Sequence, residues 1–318
     1  MLWTAKHVIS FEDRLRSITN DDYQGALRRV WWPLLMGQRT STGKRELIEW
    51  LLTTAKIVDL PQGEMHFEDL VTQTHEATNV PRGTGLKIDR DKWNDDDAKF
   101  AAQWASQAGA EMALSPQYLG IDLILGGETQ KSYDGQNYFD EDHPVNPFDD
   151  SKGTYRNLIT DVAQIDPTLP STDPVLTEDN FALGVSHIKT FVMPNGRNRE
   201  LEPFLLGVPP QLEKKARTVT GAKYISATDN VLSDYHIEPL VMNQFSVEPQ
   251  NWYLFCRMGG ELGLPFVWQV REDYGLSSYD GVTDAELSRM NELEWHVRGR
   301  NVAFYGHPFL AVKFKVTP

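Results

Sequence analysis

A single apolar stripe constrains this chain more than any other feature. Phe100, Trp104, Ala108 and Met112 recur at four-residue spacing with Ala101 and Ala105 beside them, the period of one helix face. Asn94 stands where a helix cap is needed, and Asp95, Asp96 and Asp97 place carboxylates in the first turn, at the positive end of the helix dipole. The spacing predicts a long helix from Asn94. Ser115-Pro116 is expected to break or restart it, with Pro116 at a first helical position, and Gly126-Gly127 to end the continuation.

Before this helix, two runs at 47–60 and 65–74 flank Pro61-Gln-Gly-Glu64, a turn signal that predicts a long hairpin. Leu47, Ile48, Leu51 and Leu52 also permit a local helix packed at home. After the long helix, the Pro- and Asp-rich stretch 149–174 reads as a surface connection. Thr177-Glu-Asp-Asn180 then opens a helix with Phe181, Val185, Ile188 and Val192 on one face, stopped by Pro194-Asn-Gly196. The apolar run Pro203–Val208 predicts a buried strand, and Pro209-Pro210 opens another helix to about Val219. Thr283-Asp-Ala-Glu286 is a capping box for a helix ending near Glu294. Leu310, Val312, Phe314 and Val316 alternate with Ala311, Lys313 and Lys315 as a half-buried closing strand. Helix, buried strand, helix and further strands make the fold class mixed α/β (α+β). No internal repeat suggests a solenoid.

The 318 residues, 40% of them hydrophobic, supply a core for one large or two ordinary domains. No apolar run is long enough for a membrane helix and no signal peptide is evident, so no membrane contact is expected and the chain should stay in the cytoplasm of the cell that makes it. The formal net charge of -14 argues against a protein built to grip phosphate. Its densest basic group, Glu213-Lys-Lys-Ala-Arg217, reads as the solvated face of a short helix. The lone Cys256 sits in an apolar strand and reads as a small buried hydrophobe.

Chemistry is hard to find. Asp140-Glu-Asp-His143 packs three carboxylates and an imidazole into four positions, but neighbouring side chains in extended backbone point to opposite faces, so a solvated acidic turn is expected and not a metal site. The eight histidines show no His-Glu-x-x-His pattern, and no Gly-x-Ser-x-Gly elbow is present. Gly83-x-Gly85 leads into a strand, and Gly37 to Lys44 misses the phosphate-loop pattern. No catalytic, cofactor-binding or metal-binding residue is therefore assigned. Trp31-Trp32-Pro33 reads as a packing anchor, with a sugar or base platform as the alternative.

The run Tyr133-Asp-Gly-Gln-Asn-Tyr-Phe-Asp-Glu-Asp-His-Pro144 resembles the segment after the long helix in major head subunits of Mu-like tailed phages. Gly85-Leu-Lys-Ile-Asp-Arg-Asp-Lys-Trp-Asn-Asp95 is similar to that family's lead into the helix, with Trp93 in place of the usual Phe. Trp252-Tyr-Leu-Phe255, Pro265-Phe-Val-Trp-Gln269 and Val297-Arg-Gly-Arg-Asn-Val-Ala-Phe-Tyr-Gly306 look like its closing strands in the same order, so the resemblance runs over about 80–310. The first forty residues carry little of it.

The resemblance implies a Hong Kong-97-type major capsid fold with the long helix as its spine. It divides the chain into an N-terminal arm (1–40), an extended loop (41–80), a peripheral domain with the spine helix (81–175), an axial domain (176–285) and the peripheral closing strands (286–318). It also implies self-assembly into pentamers and hexamers of an icosahedral shell that encloses double-stranded DNA, contacted weakly and non-specifically. The virion is then the destination, reached by assembly in the host bacterial cytoplasm. Trp31, Trp32, Leu51, Ile57, Val58 and Phe67 are the candidates for contact between subunits. A portal protein, a separately encoded scaffold and a head-maturation protease are implied, because arm and loop occupy the residues before Asn94; a decoration protein is an optional partner. An encapsulin-like nanocompartment shell is the alternative, and a metal-dependent hydrolase using Asp140 to His143 is the enzyme rival.

Overall fold

The computed structural model describes residues 4–51, 72–94, 99–221, 224–225, 228–259, 263–277 and 282–317. In chain order they form helix α1 (Ala5–Leu27), the one-turn α2 (Trp32–Leu35), strands β1 (Met36–Thr40), β2 (Arg45–Leu51), β3 (Thr72–Thr78) and β4 (Val80–Asp89), and helices α3 (Arg90–Asn94) and α4 (Lys99–Gly126). Short strands β5 (His143–Pro144), β6 (Thr154–Tyr155) and β7 (Leu158–Ile159) follow, then α5 (Glu178–Lys189), β8 (Pro203–Val208) and α6 (Glu213–Gly221). The rest comprises β9 (Tyr224–Ile225), β10 (Thr228–Asp229), β11 (Glu238–Val241), β12 (Trp252–Cys256), β13 (Phe266–Ser277), α7 (Asp284–Leu287), β14 (Glu292–Tyr305) and β15 (Ala311–Phe314).

The expected break at Ser115-Pro116 does not occur, and α4 runs through Pro116. A proline inside a helix costs about 3 kcal/mol, and contacts on either side of it outweigh that cost. Trp32 Nε1 donates to the Ala113 carbonyl at 3.1 Å, the Gln117 side chain accepts from the Trp31 N–H at 3.0 Å, and the Ser115 and Tyr274 hydroxyls meet at 2.7 Å. The buried stripe is also narrower than the spacing predicts. Ala101, Ala105, Ala108 and Met112 are buried, Trp104 is half-buried, and Phe100 is 57% exposed. Four-residue steps drift by roughly 40° each around a helix of 3.6 residues per turn, which carries the two aromatic positions to the rim.

The described part of the expected N-terminal arm holds α1, α2 and β1, and α1 packs along α4 in the same direction. Thr19 lies beside Ala105 and Gly109, and Trp31 beside Gln117. Val8, Phe11 and Leu15 are buried with Trp93, Ala101, Ala105 and Trp295. The helices approach closely because Gly109 has no side chain: a Cβ there would stand 2.3 Å from the Thr19 carbonyl oxygen. Gly109→Ala is expected to destabilise the subunit by about 1–3 kcal/mol through overpacking. Gly25→Ala, whose Cβ meets nothing within 4 Å, should be neutral or stabilise by up to about 1 kcal/mol. Denaturant midpoints of the two variants check the pair.

Two sheets pack on these helices. The four-stranded sheet has the order β1-β13-β14-β4, with β1 parallel to β13 and the other pairs antiparallel. One face buries Trp295 and Val297 against α1 and α4, and the other buries Val267 and Phe304 against the two-stranded β2-β3 ladder. The five-stranded sheet has the order β11-β8-β12-β15-β7. Its Leu206, Val208, Leu254, Val312 and Phe314 pack on α5 and α6, while Leu205, Tyr253, Phe255 and Ala311 pack on α2 and the end of α4.

Sheet membership redraws the expected domain divisions. β13, expected inside 176–285, belongs to the four-stranded sheet, and β15, expected among the closing strands of 286–318, lies inside the five-stranded one. Chain order does not reveal which distant strand a strand will pair with. The helix expected to run to Glu294 stops at Leu287. From Glu292 the period of two prevails, with Leu293, Trp295 and Val297 buried and Glu292, Glu294 and His296 exposed. The closing strand is buried on both faces, so Lys313, expected on a wet face, has a fully buried side chain.

Candidate functional site

The residues after α4 fold back onto its end. Phe139 N–H donates to the Gly127 carbonyl at 2.8 Å and Tyr138 N–H to that of Gln130 at 2.9 Å. The reversal is a tight turn at 132–136 in which Gly135 takes φ +88°, a conformation that favours glycine. A side chain at Gly127 is excluded too, since its Cβ would stand 2.4 Å from the Phe139 ring. These glycines bring one short run against every layer of the fold.

Several side chains of the run then reach other elements or one another. Tyr133 stacks on Trp50 of β2 at 5.2 Å and its hydroxyl meets His307 Nδ1 at 3.1 Å. Tyr138 stacks on Tyr305 of β14 at 4.3 Å and donates to the Pro265 carbonyl at 3.0 Å. Asp134 Oδ2 lies 2.6 Å from His143 Nδ1, with both side chains buried. His143 Nε2 faces Asn157 Oδ1 at 3.1 Å and the Tyr138 carbonyl at 3.2 Å. Asn157 Nδ2 donates to the carbonyls of Tyr138 and Pro308, which fixes its Oδ1 as the acceptor.

His143 is therefore a core residue and not part of a solvated acidic turn. Its carboxylate partner is Asp134, nine positions upstream, and not Asp140, Glu141 or Asp142. Asp140 Oδ1 accepts from Glu141 N–H, and Glu141 Oε1 from the Thr160 hydroxyl. Among the described residues no three His, Cys, Asp or Glu side chains are grouped to hold a metal ion.

The base of the expected hairpin is a strand pair, β2 with β3 from Arg45↔Thr78 to Leu51↔Thr72, which displaces the local-helix alternative there. Its inner face is anchored at home. Ile48, Trp50 and Ala77 are buried, Trp50 meets His307 edge-on at 4.5 Å, and Leu47 on the outer face is 68% exposed. Burial and the nearby Arg199 charge pull the His307 pKa down to about 3.

A charged cluster ties the end of α4 to the five-stranded sheet. Lys313 Nζ lies 2.7 Å from Glu128 and 2.9 Å from Glu248, and Lys315 Nζ lies 2.6 Å from Glu128. Burial pushes the Glu128 carboxyl up, and hydrogen bonds from Lys313 and Lys315 reverse that and hold it below the ordinary value of 4.5. Burial likewise opposes ionisation of Glu248, and the Tyr253 hydroxyl, Asn251 and Lys313 bring its pKa below 4.5.

Of the expected contact residues, Trp31 and Trp32 lie in the subunit's own core, with Trp32 packed edge-on against Trp268 at 4.8 Å. Leu51 ends β2 opposite Thr72. Ile57, Val58 and Phe67, like the turn signal at 61–64, fall outside the described residues. Sequence reasoning missed Trp50, Asp134 and His307 as members of one site. Only the alternation of Ile48 and Trp50 with Leu47 and Glu49 could have pointed to the inner face of β2.

Residues 13–167 match the family model described as the Mu-like prophage major head subunit gpT. Over these residues, just under half of the chain, the sequence is similar to that family. The matched range takes in most of the arm and the whole loop region, and stops before the strands at 252–306 on which the downstream likeness was read. The chain is 34% identical over 105 residues to the major capsid protein of Escherichia phage Mu, covering 33% of this chain and 32% of that protein. It thus spans about a third of the length of the curated relative it matches. The procapsid of bacteriophage JBD30 superposes with a TM-score of 0.53 at 17% identity, over 96% of this chain and 75% of that one. A virus-like particle from Pyrococcus furiosus gives 0.51 at 14% identity, over 95% and 98%. The fold is that of the Hong Kong-97-type capsid proteins, mixed in helix and strand.

Proposed function

We propose that this chain is the major capsid protein of a Mu-like tailed bacteriophage or prophage, a structural subunit that builds an icosahedral shell from rings of five and six around double-stranded DNA. One conjunction carries the reading: the Mu-like family match takes in the Tyr133–Pro144 run, and that run pins the end of the spine helix, the hairpin base and both sheets to one another. The junction orients the hairpin relative to the subunit body, which is what a shell contact requires. Association then comes from apolar burial repeated over several modest interfaces, each weak enough to form reversibly. A separate scaffold, a maturation protease and a portal protein complete the assembly, and the axial unit comprises the five-stranded sheet with α5 and α6.

Negative-stain microscopy of the purified chain tests this reading. Rings, tubes or shells of mixed curvature are expected without a scaffold, because head-to-tail contacts of this kind permit several closures. A monodisperse monomer at high concentration would refute it. The likeness to the Pyrococcus furiosus particle favours a second reading, a nanocompartment shell. Uniform closed shells of one size from the isolated chain would support that reading instead.

The hairpin supplies a further prediction. Replacing residues 52–71 by a short Gly-containing turn leaves the β2-β3 base, with Ile48, Trp50 and Ala77, in place. The variant is expected to keep the wild-type circular dichroism and thermal midpoint yet form no closed shells. Normal particles would show that the replaced segment makes no essential contact.

A further inference from the structure

Two open cavities of about 470 and 1010 Å³ flank the turn Val231–Tyr235 and share His236 and Ile237. They lie beside β11, the edge strand of the five-stranded sheet. Exposed carboxylates of Glu200, Glu202 and Asp234 line the smaller cavity. On the other side of the turn, α6 exposes Lys214, Lys215 and Arg217, three cations within four positions in a chain of formal net charge -14.

Each side also holds charges of the opposite sign, fewer in number, so the first side stays net negative and the second net positive. Glu213 is bridged to Arg217 at 2.9 Å, and Glu238 borders the basic cavity. In the acidic cavity Lys189 lies over the Tyr235 ring at 5.4 Å and Arg257 over the Phe204 ring at 5.1 Å. Among the described residues, Glu200, Glu202, Asp234, Lys214 and Lys215 have no ion-pair partner within 4.0 Å. Glu200 and His236, both on the rim of the acidic cavity, are the described non-glycine residues with positive φ, 53° each. Backbone of this kind persists only where its surroundings fix it, so the rim is a set feature of the fold.

We infer that these two sides meet between copies: the acidic rim of one subunit takes the basic face of α6 of a second copy of this chain, head to tail. This rests on the reading of the chain as a shell subunit. The sides are opposite in sign and separated by one ridge, so a two-fold contact of either side with itself sets like charges together, whereas a rotation that brings one side onto the other pairs them and closes a ring. Val231 at the crest of the ridge, 70% exposed, adds apolar area to the contact.

Charge reversal tests the inference. Glu200→Lys with Glu202→Lys and Asp234→Lys reverses one side; Lys214→Glu with Lys215→Glu and Arg217→Glu reverses the other. Each triple variant is expected to stay folded by circular dichroism and to lose at least tenfold in assembled fraction, and combining all six changes in one chain should restore assembly. Mixing the two triple variants should also restore it, but only as rings in which they alternate, giving sixes without fives. Wild-type-like assembly of either triple variant, no rescue in the combined chain, or rings of five in the mixture would overturn the inference while leaving the capsid reading intact. A wild-type chain that forms neither rings nor shells would sink the capsid reading itself. Should a triple variant unfold, assembly of the wild type must weaken as salt is raised from about 0.05 to 0.5 M, and salt-independent assembly would count as refutation.

Discussion

Lys313→Ala is expected to destabilise the subunit by about 3–5 kcal/mol, because removing one partner of a buried ion pair leaves the others charged and uncompensated. The lysine is fully buried in a central strand, and its ammonium lies between Glu128, which follows α4, and Glu248, which follows the turn at 243–247. Lys315 still reaches Glu128 in the variant, so most of the loss falls on Glu248. Restoring neutrality should recover part of it: Lys313→Met with Glu248→Gln is expected to be more stable than Lys313→Ala alone, since a well-packed apolar replacement of a buried pair is often neutral. Urea midpoints of wild type, single and double variants decide this. A loss below about 1 kcal/mol would mean that the cluster behaves as a surface bridge.

That cluster shows why only part of this fold was legible in the sequence. The spine helix, the helices at Thr177 and Pro210 and the buried strand Pro203–Val208 were readable because each carries its own local period and caps. Lys313 looked like the wet side of an alternating strand, since its two carboxylate partners are 65 and 185 positions away in sequence. The same limit hid the Asp134–His143 pair inside a run that reads as an acidic loop, and it hid which sheet β13 and β15 would join. α1 was missed for another reason. Its Val8, Phe11 and Leu15 stand at helical spacing, but the surface that α1 packs against is made by Gly109 and its neighbours in a helix about ninety positions away.

The resemblance, by contrast, falls on the site itself. Tyr133-Asp-Gly-Gln-Asn-Tyr-Phe139 carries the resemblance by residue type alone. The structure supplies the reasons. The glycine turns the chain, the aspartate meets a buried imidazole, and the two tyrosines stack on the hairpin base and on β14.

Acid is expected to loosen the hairpin base before it unfolds the subunit as a whole. His307 has a folded-state pKa of about 3 against an ordinary 6.5, so the folded state resists a proton that the unfolded chain accepts. Stability from a neutral buried imidazole is complete above the unfolded value of 6.5 and is lost as pH falls from there toward about 3, by up to about 4 kcal/mol over the whole range. Glu128 and Glu248, whose pKa values are lowered from 4.5, add their own loss only below that value. The interval between 6.5 and 4.5 therefore isolates histidine, and burial also lowers the pKa values of His75 and His187, so His307 must be separated by substitution. His307→Phe keeps an aromatic ring against Trp50 and Phe309 but carries no titrating group, and it leaves the Tyr133 hydroxyl without its 3.1 Å partner. The variant should be less stable at pH 7 and show a flatter dependence of urea midpoint on pH between 6.5 and 4.5. Equal slopes for the two proteins would place His307 in contact with water in the folded state. Because Trp50 stacks on Tyr133 and touches His307, hydrogen exchange at β2 should accelerate over the same pH interval, relative to the intrinsic rate, ahead of exchange in β12.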